Sequence, residues 1–224
     1  PPPQPPTHVT PPTPYPDRRP VRTLLFATSN PHKLDEVRAI LAPLAIDVVG
    51  LDALPGDPPP EPVEDAATFG GNARIKARAY AAATGHPCLA DDSGLEVDAL
   101  DGRPGVRSAR YAGTGDTRVE RDGANNATLL AELRDVPDEA RTARFVCAMC
   151  LAEPDGTIVA ETRGTFEGRI AREPRGEHGF GYDPLLWLPD AEYTAAELTP
   201  DRKNARSHRG AAARAMADAL RTWS

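Results

Sequence analysis

The chain has 224 residues, of which 40% are hydrophobic and 26% charged, the composition of an ordinary globular protein. This length suits one complete α/β domain and is short for two. The formal net charge of −7 argues against a non-specific nucleic-acid binder, whose affinity comes from neutralising many phosphates. No apolar run could cross a bilayer, and no signal-peptide pattern opens the chain, so we expect no membrane partner and a cytoplasmic location.

The first twenty residues differ in composition from the rest of the chain. They contain ten prolines and almost no apolar side chains, so they cannot build a hydrophobic core. We predict a disordered or extended tail over residues 1–20 and a single folded domain over residues 21–224.

Strands and helices alternate in the first half of this domain. The predicted elements are a strand at 23–27, a helix beginning at Asn30-Pro31, a strand at 46–49, a helix at 68–83 and a strand at 88–90. The sequence DDSG at 91–94 then predicts a polar turn, after which 95–100 could resume as a strand.

The second half adds a hairpin. A loop at 103–115 and a helix at 118–133 precede two strands, 144–151 and 157–166, which the turn sequence EPDG joins. A glycine-rich loop at 176–183, an apolar run at 185–188 and a helix at 207–223 follow. The order favours an α/β fold with a mixed β-sheet and helices on both faces.

Cys147 and Cys150 form a Cys-x-x-Cys pattern, which can indicate a metal or redox site. Both lie in a largely apolar run that predicts a buried strand, where residues three apart point to opposite faces. We therefore interpret them as small core side chains.

Lysine is scarce. Of 26 basic residues only Lys33, Lys76 and Lys203 are lysine. Lysines retained among so many arginines suggest sites that need a compact ammonium, although three chance survivors are the alternative.

Four segments carry residues suited to chemistry. TSNPHK at 28–33 lies where a strand passes into a helix, and free backbone N–H groups and the helix dipole favour an anion there. Glu64-Asp65 and the DDSG segment could hold a hard cation through carboxylate oxygens, and a remaining carboxylate could take a proton from water. GFGYDP at 179–184 could bring backbone close to a ligand and offer Phe180 for stacking, and Lys203 with SHR at 207–209 adds donors at a helix start. Each segment alone also fits a plain turn, junction or helix cap.

Together these segments resemble the inosine triphosphate pyrophosphatases, also called dITP/XTP pyrophosphatases. The resemblance covers about residues 23–222, and the matching blocks occur in the family's order: ATSNPHK at 27–33, LADDSGL at 89–95, PGVRSARYAG at 104–113, GFGYDP at 179–184 and SHRG at 207–210.

The resemblance implies an ITPase-like, Maf-like fold with a central cleft and Mg²⁺-dependent hydrolysis of ITP, dITP or XTP to the monophosphate and pyrophosphate. It implies Glu64 and Asp92 as magnesium ligands, Asp92 as the catalytic base and a homodimer. The implied substrate contacts are Thr28, Ser29, Asn30, Pro31, His32, Lys33, Lys76, Ser93, Phe180, Gly181, Tyr182, Asp183, Lys203, His208 and Arg209.

One departure from the family pattern is visible at Gly70-Gly71-Asn72, where an acidic residue usually precedes the asparagine. If that acid helps to order magnesium, metal binding here should be weaker or should depend on Glu64 and Asp65. The glycine pair also leaves the start of the helix open.

Two other functions stay open from the sequence. One is a related pyrophosphatase for other modified nucleotides, such as methylated pyrimidines; the other is a nucleotide-binding regulator without catalysis. A phosphatase of the aspartyl-phosphate type is disfavoured, because the acids lack the Asp-x-Asp spacing that this chemistry prefers.

Overall fold

A computed structural model describes residues 22–199, 202 and 205–223, without the side chain of His32. The predicted tail at 1–20 and Lys203 lie outside the described residues. In the described part of the chain, no helix is both long enough and apolar enough to span a membrane.

In the described part of the chain, seven strands form one mixed sheet in the order β2-β1-β3-β4-β5-β6-β7. Their bounds are β1 Arg22–Phe26, β2 Ile46–Gly50, β3 Cys88–Val97, β4 Thr142–Ala152, β5 Ile158–Ile170, β6 Leu186–Leu188 and β7 Tyr193–Thr194. β1 runs parallel to β2 and β3, and the remaining pairs are antiparallel. The predicted mixed sheet and its hairpin are confirmed.

Among the described residues, the α-helices with defined bounds are α1 Pro31–Leu41, α2 Phe69–Thr84, α3 Arg118–Glu132 and α4 His208–Ala219. Three of them begin at a hydroxyl side chain that accepts a backbone N–H bond, at Thr68, Thr117 and Ser207. The predicted loop at 103–115 contains a short 3₁₀ helix, Gly105–Arg110.

The sheet has a core on each face. Phe26, Met149 and Cys147 pack on the face covered by α1 and α4, whereas Cys150 packs on the face covered by α2. The two thiols thus point to opposite sides of β4, and both are free and buried. The prediction that they are core side chains is confirmed.

The prediction of a polar turn at 91–94 is wrong. β3 is continuous because every residue from Cys88 to Val97 pairs with β4. On its other side β3 pairs with β1 only at Cys88 and Leu89. Among the described residues, no strand pairs with residues 90–95 on that side, so this stretch of β3 leaves an open edge beside the β1–α1 junction.

Candidate active site

The segment 28–33 joins β1 to α1 beside this open edge. The Ala27 N–H donates to the Leu89 carbonyl at 2.8 Å, which holds the end of β1 against β3. The Asn30 N–H donates to the Thr28 Oγ1 at 3.2 Å, and the first turn of α1 follows immediately. The predicted strand–helix junction is confirmed, and it directs Lys33 towards β3.

Asp91 is the buried centre of one charged group. Its carboxylate accepts bonds from Lys33 Nζ at 2.9 and 3.1 Å and from Ser93 Oγ at 3.1 Å, and Arg209 Nε lies 3.4 Å from Oδ2. Only 2% of Asp91 is exposed. Burial alone would raise the pKa of this carboxyl, but the nearby Lys33, Arg209 and Lys76 hold it well below its usual range. Asp91 is therefore an anion that orients two cations.

Arg209 also connects the two helices on this face of the sheet. Its Nη1 lies 3.7 Å from Glu36 Oε2, and the Ser207 hydroxyl donates to Glu36 Oε1 at 2.7 Å. Burial opposes the charge of Arg209, but Asp91, Cys147 and Glu36 raise its pKa above the usual value. Glu36 was not predicted as a site residue, because in the sequence it is one more charge on the polar side of a helix.

Asp92 points to the opposite face of β3, towards α2. Its Oδ2 accepts a bond from Asn72 Nδ2 at 3.0 Å, and its Oδ1 accepts one from the Ser93 N–H at 2.9 Å. Burial raises the pKa of Asp92, and the neighbouring Glu64 adds to this, while Asn72 and Lys76 oppose it. Adjacent carboxylates in one strand thus occupy different environments.

Lys76 extends from α2 towards the carboxylates of Asp92 and Glu64. Its Nζ lies 3.2 Å from Glu64 Oε1, and both side chains are largely buried. Burial would lower the pKa of Lys76, but Asp91, Asp92 and Glu64 together raise it. Glu64 and Asp92 thus share one ammonium neighbour. Within the described residues, no three or more His, Cys, Asp or Glu side chains come together as a metal-binding group.

The position where the family usually has an acidic residue before the asparagine is Gly71 in this chain, near the start of α2. Thr68 caps α2, and its Oγ1 accepts a bond from the Gly71 N–H at 3.1 Å, so the helix begins at Phe69. A Cβ at Gly71 would lie 2.6 Å from the Ala66 Cβ. The segment that carries Glu64 therefore approaches the helix too closely for a side chain at this position, and the adjacent Asn72 holds it by accepting a bond from the Ala66 N–H at 3.0 Å.

Residues 179–184 form a loop, here called the aromatic loop, on the far side of the cleft from Lys33. Asp183 Oδ2 accepts a bond from the Phe180 N–H at 2.8 Å, and the Tyr182 hydroxyl donates to the Ser108 carbonyl at 2.9 Å. Tyr182 is buried, whereas 47% of Phe180 is exposed. The loop thus anchors one ring in the core and presents the other to the cleft.

The cleft has a volume of about 870 Å³ and lies between α1, α3, α4 and the aromatic loop. The predicted site residues that line it are Asn30, Lys33, Ser93, Phe180, Gly181, Tyr182, Asp183, His208 and Arg209. Thr28, Ser29, Pro31, Glu64, Lys76 and Asp92 are not among its lining residues. The last three lie together on the face of β3 that is covered by α2.

Other lining residues were not predicted. They include Glu36, Ser108, Arg118, Asp122, Phe145 and His178. The Phe145 ring stacks on His208 with centroids 5.2 Å apart. The alternation of β4 could have indicated the face to which Phe145 points, but no local pattern reveals that α3 approaches the aromatic loop.

Comparison with known proteins gives consistent matches over nearly the whole described chain. A sequence model of the Ham1 family matches residues 24–219. A protein of Nocardia farcinica named dITP/XTP pyrophosphatase is 54% identical over 201 residues, which cover 88% of this chain and 94% of that protein.

Solved structures of the same family resemble this chain in fold. A HAM1 protein from Coxiella burnetii superposes with a TM-score of 0.79 at 40% identity, covering 89% of this chain and 98% of that one. A nucleoside-triphosphatase / dITP/XTP pyrophosphatase from Mycobacterium abscessus superposes with a TM-score of 0.71 at 47% identity, covering 88% and 98%. The fold, the order of the motifs and these matches together place this chain in the Ham1 family.

Proposed function

We propose that this protein hydrolyses deaminated purine nucleoside triphosphates, namely ITP, dITP and XTP, to the monophosphate and pyrophosphate. The relatives named dITP/XTP pyrophosphatase support this substrate class. The observation that carries the proposal is the pair of charged groups on β3. Asp91 holds Lys33 and Arg209 on one side, and Asp92 lies with Glu64 and Lys76 on the other.

The triphosphate would bind across the open edge of β3. Lys33 and Arg209 supply positive charge on one side of this edge, and Lys76 supplies it on the other. The start of α1 adds the positive end of the helix dipole, which favours anions. We assign triphosphate binding to Lys33, Lys76 and Arg209 and to the junction residues Thr28, Ser29, Asn30, Pro31 and His32.

Glu64 and Asp92 would hold Mg²⁺. Lys76 balances only one of these two negative charges, so a cation beside them is electrostatically favourable. Magnesium in nucleotide sites commonly uses one or two protein carboxylates and takes its other ligands from phosphates and water, which fits this donor set. When bound, magnesium would polarise the phosphate and neutralise developing charge.

Asp92 is our candidate for the catalytic base. A carboxylate with a raised pKa accepts a proton more readily than an ordinary aspartate, and the bond from Asn72 fixes its orientation. Asp92 takes a proton from the attacking water, the water oxygen bonds to the α-phosphorus, and pyrophosphate leaves. Lys33 and Lys76 stabilise the charge that accumulates on the phosphate oxygens.

The purine base of the nucleotide would lie between the aromatic loop and the start of α4. Phe180 provides a face for stacking, and Ser93, Gly181, Tyr182 and Asp183 shape the pocket around it. Donors from His208 and Lys203 would favour a 6-oxo group over the amino group of adenine, because a buried donor without an acceptor costs about 1–3 kcal/mol.

Product identity tests the proposal. The enzyme is incubated with Mg²⁺ and ITP, XTP, GTP, ATP, dUTP or dTTP, and pyrophosphate and orthophosphate are measured separately. We expect pyrophosphate, with ITP and XTP preferred. Orthophosphate, or a preference for dUTP or dTTP, would contradict the proposed reaction or its substrate class.

Asp92→Asn tests the proposed base. We expect kcat to fall by about 10²–10⁴-fold, while the free energy of unfolding changes little. Asp135→Asn, an exposed aspartate outside the cleft, serves as the control for loss of one negative charge. Turnover near the wild-type rate in Asp92→Asn would reject this assignment.

The family resemblance also supports a cytoplasmic homodimer as part of the proposal. Sedimentation of the purified protein at micromolar concentration would test the dimer, and a monomer mass would contradict it.

A further inference from the structure

The aromatic loop is held by α3 through contacts that the proposed chemistry does not use. The Gly181 N–H donates to Asp122 Oδ2 at 3.0 Å, and Asn126 Nδ2 donates to the Gly181 carbonyl at 3.0 Å. Asp122 and Asn126 are four residues apart, so they lie on the same side of the helix. One helical turn therefore binds both backbone polar groups of a single loop residue.

Asp122 and Asn126 belong to a stripe on one side of α3, and Arg118 continues this stripe one turn earlier. The Arg118 guanidinium lies 4.4 Å from the centre of the Phe180 ring, and Arg118 Nε lies 3.9 Å from Asp122 Oδ2. Arg118 and Asp122 also line the cleft. The stripe thus contacts the aromatic loop at the ring and at the next residue along the chain.

The helix that carries the stripe is itself firmly anchored. A reciprocal capping box between Thr117 and Glu120 fixes its start. Leu129 is fully buried in the core, and Asn125 Oδ1 accepts a bond from the Ala112 N–H at 2.8 Å. Contacts from α3 can therefore impose a position on the loop.

The loop needs such a constraint at Phe180. With 47% of the residue exposed, Phe180 is much less buried than Tyr182 two residues later, of which 4% is exposed. Gly181 adopts a left-handed conformation with φ +63° and has no side chain of its own to pack. The direction of the Phe180 ring thus depends on how the backbone of Gly181 is held, together with the Arg118 contact and the bond from its own N–H to Asp183.

We propose that Asp122 and Asn126 are positioning residues that fix the Phe180 ring for stacking on the base and so set base selectivity. The inference rests on the proposed function for the identity of the substrate. Neither side chain takes part in proton transfer; each acts through the peptide groups of Gly181. Their effect should therefore appear in binding and in discrimination between bases, with the phosphate chemistry retained.

The test compares Asp122→Ala, Asp122→Asn, Asn126→Ala and the double variant Asp122→Ala/Asn126→Ala, with Asp135→Ala as a control outside the cleft. For each protein, kcat and KM are measured with ITP and with GTP, and thermal unfolding is recorded. Asp122→Asn keeps an oxygen that can accept the Gly181 N–H bond, whereas Asp122→Ala removes it.

We expect Asp122→Ala and Asn126→Ala each to raise the KM for ITP about tenfold, with kcat changed less than about threefold. The preference for ITP over GTP should fall, because the pocket no longer holds the ring in one place. Asp122→Asn should recover most of the loss. Since both side chains hold the same residue, the double Ala variant should lose less than the product of the single effects.

Several results would overturn the inference. They are an unchanged KM in both Ala variants, a loss in kcat alone, and an Asp122→Asn variant as impaired as Asp122→Ala. If both Ala variants are unfolded at 25 °C, a structural role is sufficient and the positioning role is rejected.

Failure of the proposed function would look different, because the wild-type protein itself would then release no pyrophosphate from ITP. In that case calorimetric binding of a non-hydrolysable ITP analogue to the same variants decides the inference. Weaker binding by both Ala variants supports it. Equal binding by all variants, or no binding by the wild type, overturns it.

Discussion

Replacing Asp91 by asparagine removes one buried charge and keeps the size of the side chain. The new amide would place an NH₂ group where Lys33, Ser93 and Arg209 now direct their donors towards a carboxylate. Breaking a buried ion pair from one side costs about 3–5 kcal/mol, because the partner charges stay buried without compensation.

The structure places the expected cost near the lower end of this range. The Lys33 side chain is 23% exposed, so it can recover some hydration, and Arg209 keeps Glu36 at 3.7 Å. We therefore expect Asp91→Asn to lower the free energy of unfolding by about 3 kcal/mol at neutral pH. Asp190→Asn is the matched control, because it breaks an exposed pair with Arg206 and should cost less than about 1 kcal/mol.

Urea unfolding at 25 °C without nucleotide measures both variants. The low pKa of Asp91 means that its contribution is complete above the ordinary value of 3.8 and is lost only as the pH falls further, towards the folded pKa. The difference in free energy of unfolding between wild type and Asp91→Asn should therefore stay constant from pH 7 to about pH 4.

Tripolyphosphate should stabilise the variant, because its oxygens can replace the missing charge beside Lys33 and Arg209. A loss below about 1 kcal/mol would refute the view that Asp91 holds the two cations.

Two further predictions concern packing and pH. A Cβ at Gly164 of β5 would collide with the His208 carbonyl and lie 2.5 Å from the Ala212 nitrogen, so Gly164→Ala should displace α4, cost roughly 1–3 kcal/mol and raise the KM for ITP. Gly123→Ala, where a Cβ meets nothing within 4 Å, should leave KM unchanged, and an unaffected KM in Gly164→Ala would contradict the packing reasoning. Burial raises the pKa of Cys88 from 9.0 to about 12, so between these values the unfolded chain releases a proton that the folded protein keeps, and stability falls as pH rises. Cys88→Ala should reduce this slope, measured by urea unfolding, by about 1.4 kcal/mol per pH unit, and an unchanged slope would show that the thiol is accessible.

Most elements could be predicted from the sequence because local patterns determine them. The apolar stripe of α1, the hydroxyl cap Ser207 and the hairpin turn at 153–156 each act over a few residues. The turn predicted at 91–94 was wrong for a non-local reason. Polar residues in a strand are favourable only when distant partners satisfy them, and here the ammonium of Lys33 and the amide of Asn72 do so.

The candidate site could be predicted where a short motif carries it, as at 28–33 and 179–184. The partners of these motifs could not. Glu36 and Asp122 are ordinary helical acids in the sequence, and their contacts with Arg209 and Gly181 exist only because separate elements pack together. Asn72 was noticed as part of a departure from the family pattern, but its bond to Asp92 depends on how α2 lies against β3.

Consecutive side chains of β3 alternate between the two faces of the sheet. The face to which Asp91 or Asp92 points is therefore fixed by the number of strand residues before it. Inserting a single residue between Cys88 and Asp91 would rotate each carboxylate into the surroundings of the other. Asp91 would then face Asn72 and Glu64, and Asp92 would face the side on which Lys33 and Arg209 lie. Insertions and deletions should therefore be excluded from this stretch in functional relatives, whereas the exposed tip of the hairpin at 153–156 should accept changes in length.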